Sequence, residues 1–142
     1  MLKGIPSILS PELLKILMEM GHGDELVISD GNFPGASMGQ RLVRADGHGV
    51  PEILDAILTL FPLDQYTAEP VVLMDVMDGD DFVPTIWEKY EEILEKHEPG
   101  TGIERMERFA YYERAKKAYA VVQTGETSIY ANVIIKKGVI TP

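Results

Sequence analysis

Between Gly23 and Gly31 the chain carries a short apolar run, Leu26-Val27-Ile28, with polar groups crowded at both ends. Such a run, bounded by turn-forming residues, reads as a buried strand. Gly21 and Gly23 before it, and Gly31 and Pro34 after it, let the backbone turn sharply. His22 and Asp24 fall at the leading turn and Asp30 at the trailing one. Ligands of open α/β sheets bind beyond the carboxyl ends of strands, so Asp30 stands where a ligand is expected. His22 and Asp30 form a possible acid–base pair. A five-residue strand between them is about 17 Å long. Either the strand is shorter than it looks, or a second subunit completes the site.

The rest of the chain alternates helical and strand patterns. Ser10 and Pro11 open a helix as N-cap and first helical residue. Leu13, Leu14, Leu17 and Met18 give it an apolar stripe, and Gly21 stops it. Further helices are expected from Pro51 to Phe61, Pro84 to His97 and Arg108 to Lys117. Strands are expected over 25–29, 40–44, 71–76, 103–106, 119–123 and 129–135, with a loop after the first strand. Strands alternating with helices imply an α/β fold: one domain over 1–142, a three-layer α/β/α sandwich. The last two strands are separated by a few residues, too few for a parallel crossover, so they are expected to be antiparallel and the sheet mixed. In a last strand over 129–135, Tyr130 and Asn132 would share one face.

Composition removes several function classes. There are 23 acidic against 13 basic residues, a formal charge of −10, which disfavours nucleic acid and anionic membranes as partners. The chain has no cysteine, so disulfides, thiolate metal sites and cysteine nucleophiles are excluded. No apolar run approaches the ~20 residues of a membrane span. The amino terminus shows no signal-peptide pattern, so a cytoplasmic location is expected. Dinucleotide and phosphate-binding glycine motifs and the nucleophile elbow are missing. The spacing of His22, Asp24 and Asp30 fits no zinc pattern, so no metal and no cofactor is expected. His48 and His97 are expected at the surface, and Asp24 as a turn former. Arg108 and Arg114 flank an aromatic crowd, Phe109, Tyr111 and Tyr112, that suits core or subunit contact.

Several segments together resemble the L-fucose mutarotase branch of the sugar pyranase and mutarotase family, whose sister branch is the D-ribose pyranases. They are Gly21-His22-Gly23-Asp24-Glu25, Ser29-Asp30 with Phe33-Pro34, Ser37-Met38-Gly39, Arg44-Ala45-Asp46-Gly47, Arg108 through Ala115, Thr124-Gly125-Glu126, and Tyr130-Ala131-Asn132 through Lys137-Gly138. Asn32 stands where the branch can carry histidine, and Tyr-Ala-Asn also occurs among the ribose pyranases. The resemblance implies a ring-like homodecamer and a monosaccharide ligand, L-fucose with D-ribose as its competitor. It also implies sugar contacts from Arg108, Tyr130, Ala131 and Asn132. Histidine gives and takes protons near neutrality, which suits His22 as catalytic acid, with Asp30 holding sugar hydroxyls or assisting as base. The expected reaction is anomer exchange by ring opening and closure. Its rivals are D-ribose pyranase activity, a non-catalytic sugar binder and an aldose–ketose isomerase.

Overall fold

The computed structural model describes residues 1–142. Six strands form one sheet: β1 (Glu25–Ser29), β2 (Leu42–Ala45), β3 (Val71–Met74), β4 (Ile103–Met106), β5 (Ala120–Thr124) and β6 (Val133–Lys136), in the order β2-β5-β1-β6-β3-β4. The pairs β1–β5, β2–β5 and β3–β4 are parallel. β6 runs against both of its neighbours, β1 and β3. The sheet is therefore mixed, as expected. The last two strands do run oppositely, but they are not partners, because β1 lies between them. The segment from Gly125 to Asn132 must cross the carboxyl end of β1 to reach β6.

Both faces of the sheet are covered, and the strands show it at period two. Leu26 and Ile28, Val122, Val133 and Ile135, and Val71 and Leu73 join one core cluster. Val27, Val121, Ile134, Val72 and Met74 join the other. The first cluster takes in α1 (Pro11–Glu19), α3 (Val50–Leu58) and α4 (Ile86–His97) through residues such as Leu13, Leu54, Ile57, Tyr90 and Leu94. The second takes in α5 (Arg108–Lys117) through Tyr111 and Ala115, with α2 (Gly35–Met38) beside it. These are the three layers. Both clusters bury aliphatic side chains completely, at roughly 1.5–3 kcal/mol each relative to exposure.

Local chemistry accounts for most boundaries. The Ser10 hydroxyl accepts from the Leu13 amide at 3.1 Å, with Pro11 next in the chain. Glu107 caps α5 by accepting from the Ala110 amide at 3.0 Å. Three expectations need correction. The buried α1 stripe is Leu13, Ile16 and Leu17 with the C-cap Met20, while Met18 is 87% exposed; it keeps Leu13 and Leu17 and replaces Leu14 and Met18 by Ile16 and Met20. The glycine- and proline-rich segment after β1 contains the four-residue helix α2. Finally, β6 begins at Val133, not near Ile129. Tyr130 has φ 55°, a left-handed conformation no strand contains. Tyr130 and Asn132 therefore do not alternate along a strand.

Candidate functional site

The crossing segment builds the site. As it passes over β1, the Glu126 carbonyl accepts from the Gly31 amide at 2.9 Å, and the Gly125 amide donates to the His48 carbonyl at 2.9 Å. Gly125 lies against the Asp46 carbonyl, where any Cβ would collide with backbone. A larger residue there would lift the segment off the sheet. Below it, the Thr124 hydroxyl donates to the Ser29 carbonyl at 2.6 Å, and Gln123 Nε2 donates to the Asp30 carbonyl at 2.8 Å. The Asp30 amide donates to Asn132 Oδ1 at 2.8 Å. The ends of β1 and β5 and the entry to β6 are thus tied into one polar knot, and Asp30 and Asn132 sit in it.

Asp30 is 5% exposed. Burial pushes its carboxyl up from the usual carboxylate range, against the Asn32 and Phe33 amides, which pull it down. Oδ1 accepts from the Asn32 amide at 2.9 Å. A carboxylate so placed has acceptor capacity to spare and a desolvation cost that hydrogen-bond donors from a ligand would relieve.

Tyr130 holds its left-handed backbone through several contacts. The Trp87 indole donates to its carbonyl at 2.8 Å, and the Tyr90 hydroxyl donates to the adjoining Ala131 carbonyl at 2.7 Å. A non-glycine residue in this conformation costs about 1–3 kcal/mol, and such residues cluster at ligand sites. Arg108 enters from the first turn of α5. Its Nε donates to the Tyr112 hydroxyl at 3.0 Å, and Nη1 reaches Met77 sulfur at 3.7 Å.

Asp30, Arg108, Tyr130 and Asn132 line one cavity of about 350 Å³, with Phe33, Met74, Met77, Tyr112 and Ile129 as its less polar walls and Asp80 at its rim. Of the residues singled out in the sequence, four meet here. Ala131 does not line the cavity. It is fully buried, and its part is the carbonyl that receives Tyr90. Arg114 is also elsewhere, bonded to Glu25 and Glu104 at the far end of α5.

His22 lies at the opposite edge of the sheet. The Gly23 amide donates to Lys137, past the end of β6, at 2.8 Å, whereas Asp30 meets Asn132 before that strand begins. Four to five strand residues at ~3.3 Å each separate the two groups. At its own edge, His22 Nε2 pairs with Asp64 Oδ1 at 3.0 Å, and its ring meets Tyr66 at 5.4 Å between centroids. Asp64 is 5% exposed. The Thr67 hydroxyl, and after it His22 and the Tyr66 amide, hold its carboxyl below the usual range. With Nε2–H donating to Asp64, Nδ1 is the ring nitrogen left to meet another group. Asp24 accepts from the Gly21 amide at 2.8 Å, a turn former as expected. His97 pairs with Asp55 at 2.7 Å and is half-buried rather than freely exposed.

Asp64 and Asp80 were not singled out by sequence reasoning; of Phe33, Met38, Tyr111 and Tyr112, any of which could supply an apolar contact to a sugar, Phe33 and Tyr112 line the cavity. Tyr112 carried a further signal, its spacing of four from Arg108 on one helix face. No group of three or more His, Cys, Asp or Glu side chains is arranged to hold a metal ion. No helix is long and apolar enough to cross a membrane.

The chain is similar to proteins already known. A zebrafish (Danio rerio) protein named fucose mutarotase is 55% identical, over 99% of this chain and 95% of its own length. An L-fucose mutarotase of Actinobacillus pleuropneumoniae is 53% identical, over 98% of this chain and 97% of its own. The crystal structure of the fucose mutarotase of Streptococcus pneumoniae in complex with L-fucose matches with a TM-score of 0.93 at 52% identity, covering 99% of this chain and 100% of that one. Residues 3–140 match the RbsD / FucU transport protein family, and the chain belongs to that family.

Proposed function

We propose that this protein is a mutarotase that interconverts the α and β anomers of L-fucose. The observation that carries the reading is the convergence of Asp30, Arg108, Tyr130 and Asn132 on one small cavity, in a chain more than half identical to proteins named for that activity. A carboxylate, a guanidinium, a phenol and an amide offer the mixed donors and acceptors that a ring of hydroxyls requires. Phe33, Met74 and Ile129 supply an apolar wall. L-fucose carries a methyl group that ribopyranose lacks, and an apolar contact discriminates by about 1–3 kcal/mol.

Anomer exchange needs a proton delivered to the ring oxygen and another removed from the anomeric hydroxyl. The C1–O5 bond then breaks, C1 becomes a carbonyl, and reclosure on its other face gives the second anomer. Nothing is oxidised, so the reaction requires no redox cofactor. His22 is the acid in this scheme, through Nδ1, with Asp64 holding the ring in place through Nε2. General acid–base catalysis of this kind contributes about 10²–10⁴-fold. Asp30, Arg108, Tyr130 and Asn132 bind and orient the sugar, while the backbone of Ala131 holds the segment between them.

One subunit cannot bring His22 to its own cavity, because β1 separates them. The reading therefore includes a cytoplasmic homo-oligomer, a decamer by resemblance, in which His22 of one copy completes the cavity of another. The exposed apolar side chains around the cavity, Met77, Phe82, Phe109 and Ile129, suit burial against a neighbouring copy. That same separation favours a second reading for an isolated subunit, a sugar binder without catalysis.

The deciding experiment is saturation-transfer NMR on equilibrated L-fucose and D-ribose. Enhanced α/β exchange of L-fucose is expected. Ring-form exchange in ribose alone would move the protein to pyranase activity. Binding without enhancement of any aldose would leave the binder.

A further inference from the structure

Residues 75–85 leave the carboxyl end of β3 and reach α4 without regular structure apart from a turn near Gly79. They pass beside the cavity, and their contacts with it converge on Tyr130. The Tyr130 hydroxyl donates to Asp80 Oδ2 at 2.7 Å. The Phe82 ring stacks on the Tyr130 ring, 5.9 Å between centroids and 29° between planes. The Met77 amide approaches the phenol oxygen at 3.4 Å. Asp80 is itself held, since its Oδ1 accepts from the Phe82 amide at 3.0 Å. Gly79 makes the turn with φ 85°.

A phenol has one proton. Once that proton is committed to a carboxylate, the oxygen has nothing left to donate. Tyr130 lines the cavity, and what its oxygen can offer a ligand is the lone-pair density that the Met77 amide leaves free, made more negative by the charge-assisted bond to Asp80. We propose that Asp80 is a positioning residue for the sugar site: by accepting the Tyr130 hydroxyl's hydrogen bond it leaves the phenol oxygen an acceptor, so that this wall of the cavity selects a sugar hydroxyl that donates. The inference rests on the sugar-site reading above and adds to it the polarity of one contact. The same bond leaves Tyr130 harder to ionise than an ordinary phenol and Asp80 more acidic than an ordinary carboxyl. The phenol therefore stays neutral near neutrality, with Arg108 the cation beside it.

This polarity is not set by Tyr130 alone. Freed of Asp80, the hydroxyl could rotate and donate into the cavity, and the wall would accept an acceptor. Monodeoxyfluoro sugars separate the two cases, because a C–F group keeps the size of a hydroxyl without its proton.

The test uses the full chain, Asp80→Asn, Tyr130→Phe and the double variant. Each is read for L-fucose affinity and anomer exchange, and against the 2-, 3- and 4-deoxyfluoro analogues. Asp80 is exposed, and unchanged melting of Asp80→Asn is expected. The wild type should disfavour one fluoro analogue at least tenfold against L-fucose. Asp80→Asn should narrow that ratio to threefold or less, and the double variant should be no worse than Tyr130→Phe alone. In ¹³Cζ-tyrosine NMR the Tyr130 phenol should titrate at lower pH in Asp80→Asn than in the wild type. If Asp80→Asn keeps the full ratio while the wild type binds and exchanges L-fucose, the role of Asp80 is overturned and the function stands. If the wild type binds L-fucose without speeding exchange, the mutarotase reading fails, and the fluoro ratios still decide Asp80. If it binds no aldose, both fail.

Discussion

The two edges of the sheet both carry a buried carboxylate, yet they are built for different tasks. At the carboxyl edge Asp30 is tied to backbone amides and faces a cavity, and its carboxyl is pushed up by burial. At the amino edge Asp64 is matched to a hydroxyl, an amide and an imidazole, and its carboxyl is held down. One carboxylate is left short of partners, which suits a ligand. The other is saturated, which suits holding a neighbour in place. The lesson is that burial alone does not mark a binding group; the number of donors already satisfied does.

The largest effect should come from the amino edge. His22→Ala is expected to lower anomer exchange by about 10²–10⁴-fold, with melting little changed because His22 lies outside both core clusters. NMR exchange rates check it, and a fully active variant would break the division of labour between the edges. Joining the edges is the next test. Mixing His22→Ala with Asp30→Asn subunits after dissociation and reassembly should raise exchange above that of either variant alone. An active monomer by light scattering would refute sites shared between copies.

At the carboxyl edge, Asp30→Asn should weaken L-fucose binding by about 10–100-fold, as for loss of a charged hydrogen bond. Calorimetric titration measures it. The same change should raise stability at neutral pH. Because the folded protein raises the Asp30 pKa, wild-type stability falls as pH climbs from the ordinary carboxylate pKa, about 3.9, through the folded value. The variant escapes that loss. A higher Tm than the wild type at pH 7 is expected, with the difference shrinking to little below pH 4. Asp64→Asn should show no such gain. The smallest effect is none: dialysis against EDTA should leave the exchange rate unchanged, since no cluster of metal-ligating side chains is present.

The strands and helices were largely legible because burial on both faces leaves a direct trace in the residues. Leu26-Val27-Ile28 between turn-forming glycines reads as a strand covered on both sides, and Arg108 through Lys117 keeps its bounds from sequence to structure. The Tyr130 segment was misread because Ile129 and Tyr130 favour strands by propensity, whereas contacts from Trp87 and Phe82 impose a turn. Propensity is local; those partners lie more than forty residues away.

The sequence by itself determined the fold class, a mixed sheet, the placement of Asp30 at a strand's carboxyl end, and for His22 a choice between a shorter strand and a second subunit. Each follows from periodicity, turn residues and the length of a strand. Only the tertiary structure decided that β1 enters between β5 and β6, that the crossing segment carries Tyr130 and Asn132 onto Asp30, and that Asp64 and Asp80 stand behind His22 and Tyr130. Those facts depend on which strand edges pair and which loops then meet, and pairing is settled by long-range packing that leaves no periodic mark on the chain.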